Sequence, residues 1–154
     1  MSNRMDVPLD QILSARGTLI VGDKTHHAYC IFLQGRRKEA RNMLIKEHFD
    51  VYYGEKRNIT TDAIVKDMYL ELGVKKPDDY KSTDAIIVFR AVMQRVDEYI
   101  KQLEEFERNG YKETTVVKMS CKGSNYIMRS CGENKVAALA ALGHLSIPGV
   151  EVIQ

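Results

Sequence analysis
The sequence predicts an α+β fold: an antiparallel sheet built from two β-hairpins, each followed by a helix, with a long central helix between the two units. Three observations carry this reading. Residues 18–21 with 27–33, and 114–121 with 126–131, are paired runs rich in β-branched and aromatic side chains. Each second run meets a glycine, Gly35 or Gly132, and then a helical pattern. Between the units Phe89, Val92, Val96, Tyr99, Ile100, Leu103 and Phe106 recur at three- and four-residue steps, the spacing of one helix face.

Taken in order, Pro8 stands just inside a short helical pattern with Leu9, Ile12 and Leu13 on one side and Gly17 at its end. Proline at the start and glycine past the end is the ordinary asymmetry of a helix. From Thr18 the period changes, and Gly22-Asp23-Lys24-Thr25 reads as the turn of a hairpin over residues 18–33. The second run of that hairpin is apolar at alternate and intervening positions alike, which suits a strand covered on both faces. Gly35 closes it, and residues 36–49 read as a helix carrying Ala40, Met43, Leu44 and Phe49 along one stripe.

Residues 51–58 read as a turn-rich link. Thr61-Asp62 then caps a helix with Val65, Met68, Tyr69 and Leu72, stopped by Gly73, and Pro77-Asp78-Asp79 forms a loop. Ser82-Thr83-Asp84 caps the long helix of residues 84–109, with Gly110 as its stop; its opening, Ile86-Ile87-Val88-Phe89, has the composition of a buried strand as well. Residues 114–121 alternate, 122–125 turn, 126–131 return, an alanine-rich helix covers 133–145, and Pro148-Gly149 leads to a last strand at 150–153. With no linker and no low-complexity segment, residues 1–154 are expected to form one domain.

The two units overlay without a gap. Thr18 then faces Thr115, Tyr29 faces Tyr126, Gly35 faces Gly132, Lys38 faces Lys135 and Ala40 faces Ala137. This gives a ββα pseudo-repeat as an expectation, with Gly-x-x-Lys-x-Ala at each strand-to-helix junction.

Composition bounds the function. A hydrophobic share of 44% beside a charged share of 29% is that of an ordinary globular chain. No apolar run approaches the roughly 20 residues of a membrane span, and the polar opening Met1-Ser2-Asn3-Arg4 carries no secretory signal pattern. The 3 cysteines, Cys30, Cys121 and Cys131, show no Cys-x-x-Cys spacing and read as reduced thiols. A cytoplasmic, reducing compartment is therefore expected. The formal net charge of +2 is too small to name a partner, so the distribution of charge has to do so.

That distribution points to Gly35-Arg36-Arg37-Lys38-Glu39-Ala40-Arg41. Cations crowding a helix start oppose the macrodipole, and the arrangement makes sense if an anion sits there with the exposed N–H groups. Arg36, Arg37, Lys38 and Arg41, with Lys56 and Arg57 beside Tyr52 and Tyr53, and with Lys118, Lys122 and Arg129 across the sheet, are the candidate contacts to a phosphate backbone. The bland reading of such a run is a solvated helix face. Lys38-Glu39-Ala40-Arg41-Asn42 resembles the start of the last helix of double-stranded-RNA-binding domains, which implies phosphate contact by a basic helix end. Residues 91–123, a helix, a strand and the basic loop at Lys122-Gly123, resemble the order in Alba-type proteins, which implies a loop touching DNA or RNA.

The expectation is thus a protein that binds RNA or DNA through its backbone. The alternative is a regulatory subunit that pairs with a second copy or another protein through the apolar stripe of residues 84–109. A third reading, an enzyme on small phosphorylated substrates, calls for a pocket beside Arg36, Arg37 and His27. No glycine-rich nucleotide fingerprint, nucleophile elbow or convincing carboxylate pair is present, so no catalytic residue and no cofactor is assigned. His26, His27 and Cys30 lie close in sequence, but adjacent strand residues face opposite ways and the spacing is not that of a metal site.

Overall fold
The structure is a computed structural model that describes residues 3–56, 70, 85–112, 115–129 and 132–153. Among these residues the chain is α+β, with four helices and a five-stranded sheet. The elements run β1 (Asn3–Pro8), a 3₁₀ turn (Leu9–Gln11), β2 (Ile12–Leu13), α1 (Lys24–Leu33), α2 (Arg37–Lys56), α3 (Ala85–Asn109), β3 (Lys118–Lys122), β4 (Asn125–Met128), α4 (Glu133–Ala141) and β5 (Ser146–Ile153).

The strand order is β1-β5-β3-β4-β2. The sheet is mixed rather than purely antiparallel: β1/β5 and β3/β4 are antiparallel, whereas β3/β5 and β2/β4 are parallel. The predicted hairpin of the second unit is present, with Met119 opposite Met128 and Lys122 opposite Asn125. After it α4 carries the chain back so that β5 enters on the far side of β3. Pro148 is tolerated inside β5 because the pairing with β1 slips between Met5 and Val7, so its missing N–H falls at an irregularity of the ladder.

The first unit differs from expectation. Residues 24–33 are a helix, not the second strand of a hairpin, and the pseudo-repeat is not confirmed: Tyr29 sits on a helix and Tyr126 on a strand. The reason is local and then tertiary. Asp23 is extended and its Oδ1 accepts from His26 N–H at 2.8 Å, which makes the expected turn an N-cap. Ala28, Tyr29, Ile31 and Phe32 are then buried, so the run is apolar because most of the helix is enclosed. Gly35, at φ +93°, ends this helix instead of a strand: its N–H bonds to Phe32 O and that of Arg36 to Ile31 O. Such a left-handed C-terminal closure favours glycine.

Further corrections are smaller. Pro8 ends a strand, and only one 3₁₀ turn follows before β2, so no helix spans residues 8–16. Helix α2 runs through residues 51–56, which the sequence reading gave to a link. Helix α4 stops at Ala141. The expected helix at 61–73 and the loop at Pro77 lie outside the described residues. Helix α3 matches the long-helix prediction, and its opening is helical rather than a strand.

Helix α1 packs on α2 and α4, and α3 packs on the same two helices. Val7, Ile12, Met119, Met128, Ile147 and Val150 from the strands join Tyr29, Leu44, Val96, Leu103 and Leu139 from the helices in one buried cluster. On β3, Met119 points into this cluster, while Lys118 and Lys122 at alternate positions are exposed. No helix among the described residues is long and apolar enough to cross a membrane.

Candidate functional site
The cations singled out in the sequence fall into separate places. At the start of α2 the Arg36 guanidinium holds the Glu39 carboxylate, with Nε to Oε2 at 2.8 Å. Arg37 lies over the Phe32 ring, 5.3 Å from its centroid. Arg41 reaches α3, donating from Nε to Asp97 Oδ1 at 2.7 Å. Lys38 edges a shallow depression with Asn42, Met43 and Lys46. The helix start is basic, yet two of its arginines are engaged by the protein's own carboxylates. Lys56 closes α2, and Arg57 lies outside the described residues.

Lys118, Lys122 and Arg129 all lie on the β3–β4 hairpin or directly after it, and Arg129 also borders a cleft at the N-terminal end of α4. The two lysines share the exposed side of β3, and Arg129 N–H bonds to Lys118 O at 2.9 Å. The substantial contacts of α2 among the described residues are with α1 and α3, so its basic start belongs to a different layer from this hairpin. Of the apolar stripe of α3, Val92, Val96, Ile100, Leu103 and Phe106 are buried in the chain's own core, while Phe89 is exposed.

His26 and Cys30 are one helical turn apart on α1. His26 Nδ1 accepts from Gly22 N–H at 2.9 Å, so a neutral ring carries its proton on Nε2, which lies 3.6 Å from Cys30 Sγ. Burial pushes the Cys30 thiol up, and the pair therefore keeps a thiol rather than a thiolate. Both line a depression of about 700 Å³ with His27, Lys46 and Glu47, and neither Arg36 nor Arg37 borders it. Among the described residues no group of three or more His, Cys, Asp or Glu is placed to hold a metal ion.

The most developed site was not predicted. A cleft of about 750 Å³ opens where α1, α2 and α3 approach the N-terminal end of α4. Lys135, in the first turn of α4, lines it with only 8% of its surface exposed. Its ammonium donates to Thr115 Oγ1 at 3.1 Å, and among the described residues no carboxylate pairs with it. An ammonium enclosed with one hydroxyl partner is a costly arrangement, because desolvation is not offset by an opposite charge.

Three neighbours on the same cleft share this condition. His48 Nε2 of α2, Arg95 Nε of α3 and Asn134 Nδ2 of α4 are buried without a hydrogen-bond partner among the described residues. Each is otherwise held in place. His48 packs against Tyr99 with ring centroids 5.4 Å apart, and the Arg95 guanidinium lies over that same Tyr99 ring, 4.6 Å from its centroid. Arg95 Nη1 also donates to Glu98 Oε2 at 3.0 Å. Asn134 Oδ1 accepts from the hydroxyl of Tyr29, a side chain with no exposed surface. Burial lowers the His48 pKa and keeps the ring neutral. Comparison with family models, with curated proteins and with solved structures finds no match to this chain. The site therefore has to be read from its own chemistry.

Opposite charge is present on the rim. Asp23, Glu98 and Glu133 line the cleft, and each engages one carboxylate oxygen within the protein: with His26 N, Arg95 Nη1 and Ala15 N respectively. Burial raises the Asp23 pKa, against the lowering effect of its bond to His26 N–H. A concave site with buried donors at one part and carboxylate acceptors around it is suited to hold a small polar molecule bearing negative charge. Sequence order hides it, because its residues come from α1, α2, α3 and α4. One signal was legible: Gly132-Glu133-Asn134-Lys135 places a lysine in a first helical turn behind a glycine rather than a Ser, Thr, Asp or Asn cap.

Proposed function
We propose that the protein is a binding protein for a small anionic molecule, held in the cleft at the N-terminal end of α4. The observation that carries this reading is Lys135, enclosed at 8% exposure with Thr115 as its hydrogen-bond partner and no carboxylate pair among the described residues. A ligand anion would supply the missing counter-charge, and the buried donors of Arg95 and Asn134 would gain acceptors at the same time. A thermal-shift panel of phosphate, sulfate and small carboxylates, run on the native chain and on Lys135→Met, tests it. Stabilisation of the native chain that Lys135→Met abolishes is the expected result, since a ligand that binds only the folded state raises its stability. A native chain that responds to no anion would remove the reading.

A second reading keeps the expectation of nucleic-acid binding and rests on the hairpin. Lys118 and Lys122 are exposed on one face of β3, and Arg129 is joined to Lys118 through the backbone; together they would supply three cations to a phosphate backbone. Three phosphate contacts would lower affinity about 40-fold between 50 and 200 mM salt, from the expected slope per contact. Titration with duplex and single-stranded RNA and DNA, against a Lys118→Ala, Lys122→Ala, Arg129→Ala variant, measures that slope. An interaction indifferent to salt, or none, would dispose of it.

A further inference from the structure
The cleft also indicates what kind of anion it takes. This step rests on the reading of the cleft as a ligand site and concerns the chemical class of the ligand. Two cations border the cleft without a carboxylate partner among the described residues, the enclosed Lys135 and the exposed Arg129, so a group carrying more than one negative charge would suit it. Donors reach the cleft from different elements: Arg95 from α3, Asn134 and Lys135 from α4, and Arg129 from the end of β4. A planar carboxylate has two oxygens to offer such a set, whereas a phosphate monoester offers three and close to two charges at neutral pH.

The start of α4 is left open to the same group. Gly132 is its N-cap and supplies no side-chain bond to the first-turn N–H groups. A Cβ on Gly132 would stand 3.0 Å from Met128 Cε and 3.5 Å from the Val117 methyls. Glycine therefore seats the helix end tightly on the β3–β4 hairpin and leaves no side chain between its N–H groups and the cleft. This helix end adds to, and does not replace, the enclosed Lys135 and the buried donors beside it.

Around the donors stand Asp23, Glu98 and Glu133, carboxylates that line the cleft while each also accepts a hydrogen bond inside the protein. Carboxylates beside a phosphate seat would repel a bare anion, and they are suited to hydroxyl groups carried on the same molecule. The volume of about 750 Å³ is of the size that holds one small molecule and excludes a folded polymer. We propose that the ligand is a phosphomonoester of a polyhydroxylated body, its phosphate at Gly132, Asn134 and Lys135 and its hydroxyls at Asp23 and Glu98.

Calorimetric titration of the full chain with ribose 5-phosphate, inorganic phosphate, ribose and gluconate tests this class. Ribose 5-phosphate is expected to bind at least about tenfold more tightly than either phosphate or gluconate, a gap worth about 1.4 kcal/mol. Glu98→Gln and Asp23→Asn, the latter keeping a residue able to cap α1, are expected to bring ribose 5-phosphate down toward inorganic phosphate. Thermal unfolding of each variant confirms that it is folded, and either variant alone suffices. Gluconate as the tightest ligand, lost in Lys135→Met, would overturn the phosphomonoester while leaving the anion site standing. Equal affinity for ribose 5-phosphate and inorganic phosphate would overturn the role of the hydroxyls. If none of the four binds, the class and the cleft reading fall together.

Discussion

Arg41 on α2 and Asp97 on α3 form a two-pronged ion pair, Nε to Oδ1 at 2.7 Å and Nη2 to Oδ2 at 3.2 Å, between residues 56 positions apart. A guanidinium that the sequence offers as a ligand contact is thereby a link between two helices. Both side chains are substantially exposed, at 38% and 48%, so solvent screens the pair and its coupling is expected at no more than about 1 kcal/mol. A double-mutant cycle with Arg41→Ala and Asp97→Ala, followed by urea denaturation, measures it. Arg41→Ala is expected to lower stability slightly and leave any RNA affinity unchanged. A large loss of RNA binding at unaltered stability would return Arg41 to the list of ligand contacts.

Two helix starts in this chain carry cations, and they meet the need for compensation differently. A cation at a helix start needs compensation. At α2 the compensation is internal, since Arg36 holds Glu39 within its own first turn. At α4 the same rule meets Lys135, enclosed and without a carboxylate partner among the described residues, where the demand for an outside anion is far greater. Burial makes the difference between the two, and burial is not visible in a list of charges.

The fold was legible where one face is buried and one is wet. Helix α3 shows Val92, Val96, Ile100 and Leu103 at regular steps, and Lys118-Met119-Ser120 alternates as an outward-facing lysine beside a buried methionine should. It was illegible at 27–33, where a short helix is enclosed by α2 and α4 and loses its polar face. There only Asp23, acting as N-cap, distinguishes a helix start from a hairpin turn. The cleft was illegible for another reason. His48, Arg95 and Asn134 are meaningful only once three helices meet.

Tyr29→Phe is expected to cost about 1–3 kcal/mol, the usual penalty for leaving a buried polar group unpaired. The Tyr29 hydroxyl donates to Asn134 Oδ1, while Asn134 Nδ2 is already without a partner among the described residues. Burial pushes the phenol up, so this donor persists across the working pH range. Adding Asn134→Leu to Tyr29→Phe should recover part of the loss, because both polar partners are then gone. Urea denaturation of the two singles and the double gives the comparison. Strictly additive losses would show that the bond contributes nothing of its own.

Stability is expected to fall as the solution is acidified below about pH 6.5, and His48 is the cause. Burial holds its folded pKa below the ordinary 6.5, so in that window the unfolded chain takes up a proton that the folded chain refuses. The loss is about 1.4 kcal/mol for each pH unit in the window and ends once the folded ring also protonates. Asp23 acts in the opposite sense, because burial raises its pKa above 3.8 and the folded state then binds the proton more readily. His48→Phe keeps an aromatic ring beside Tyr99 and isolates the two. The native chain should show the steeper loss from pH 7 to 5, and parallel curves would exclude His48 as the source.

Gly132→Ala is expected to destabilise the fold by about 1–2 kcal/mol through crowding at the seat of α4. The backbone there, at φ −158°, lies outside the left-handed region, so no positive-φ penalty adds to the crowding. What an added Cβ meets is Met128 Cε at 3.0 Å, the tip of a side chain that is itself only 3% exposed. Gly35→Ala is the contrasting case: φ is +93° and nothing lies within 4 Å, so any loss there is strain without crowding. Met128→Leu, which retracts the offending carbon, should restore part of the stability lost in Gly132→Ala and none of that lost in Gly35→Ala. Equal effects of Met128→Leu in both backgrounds would mean that α4 shifts bodily to admit the methyl group, and that its close approach to the hairpin is not what requires glycine.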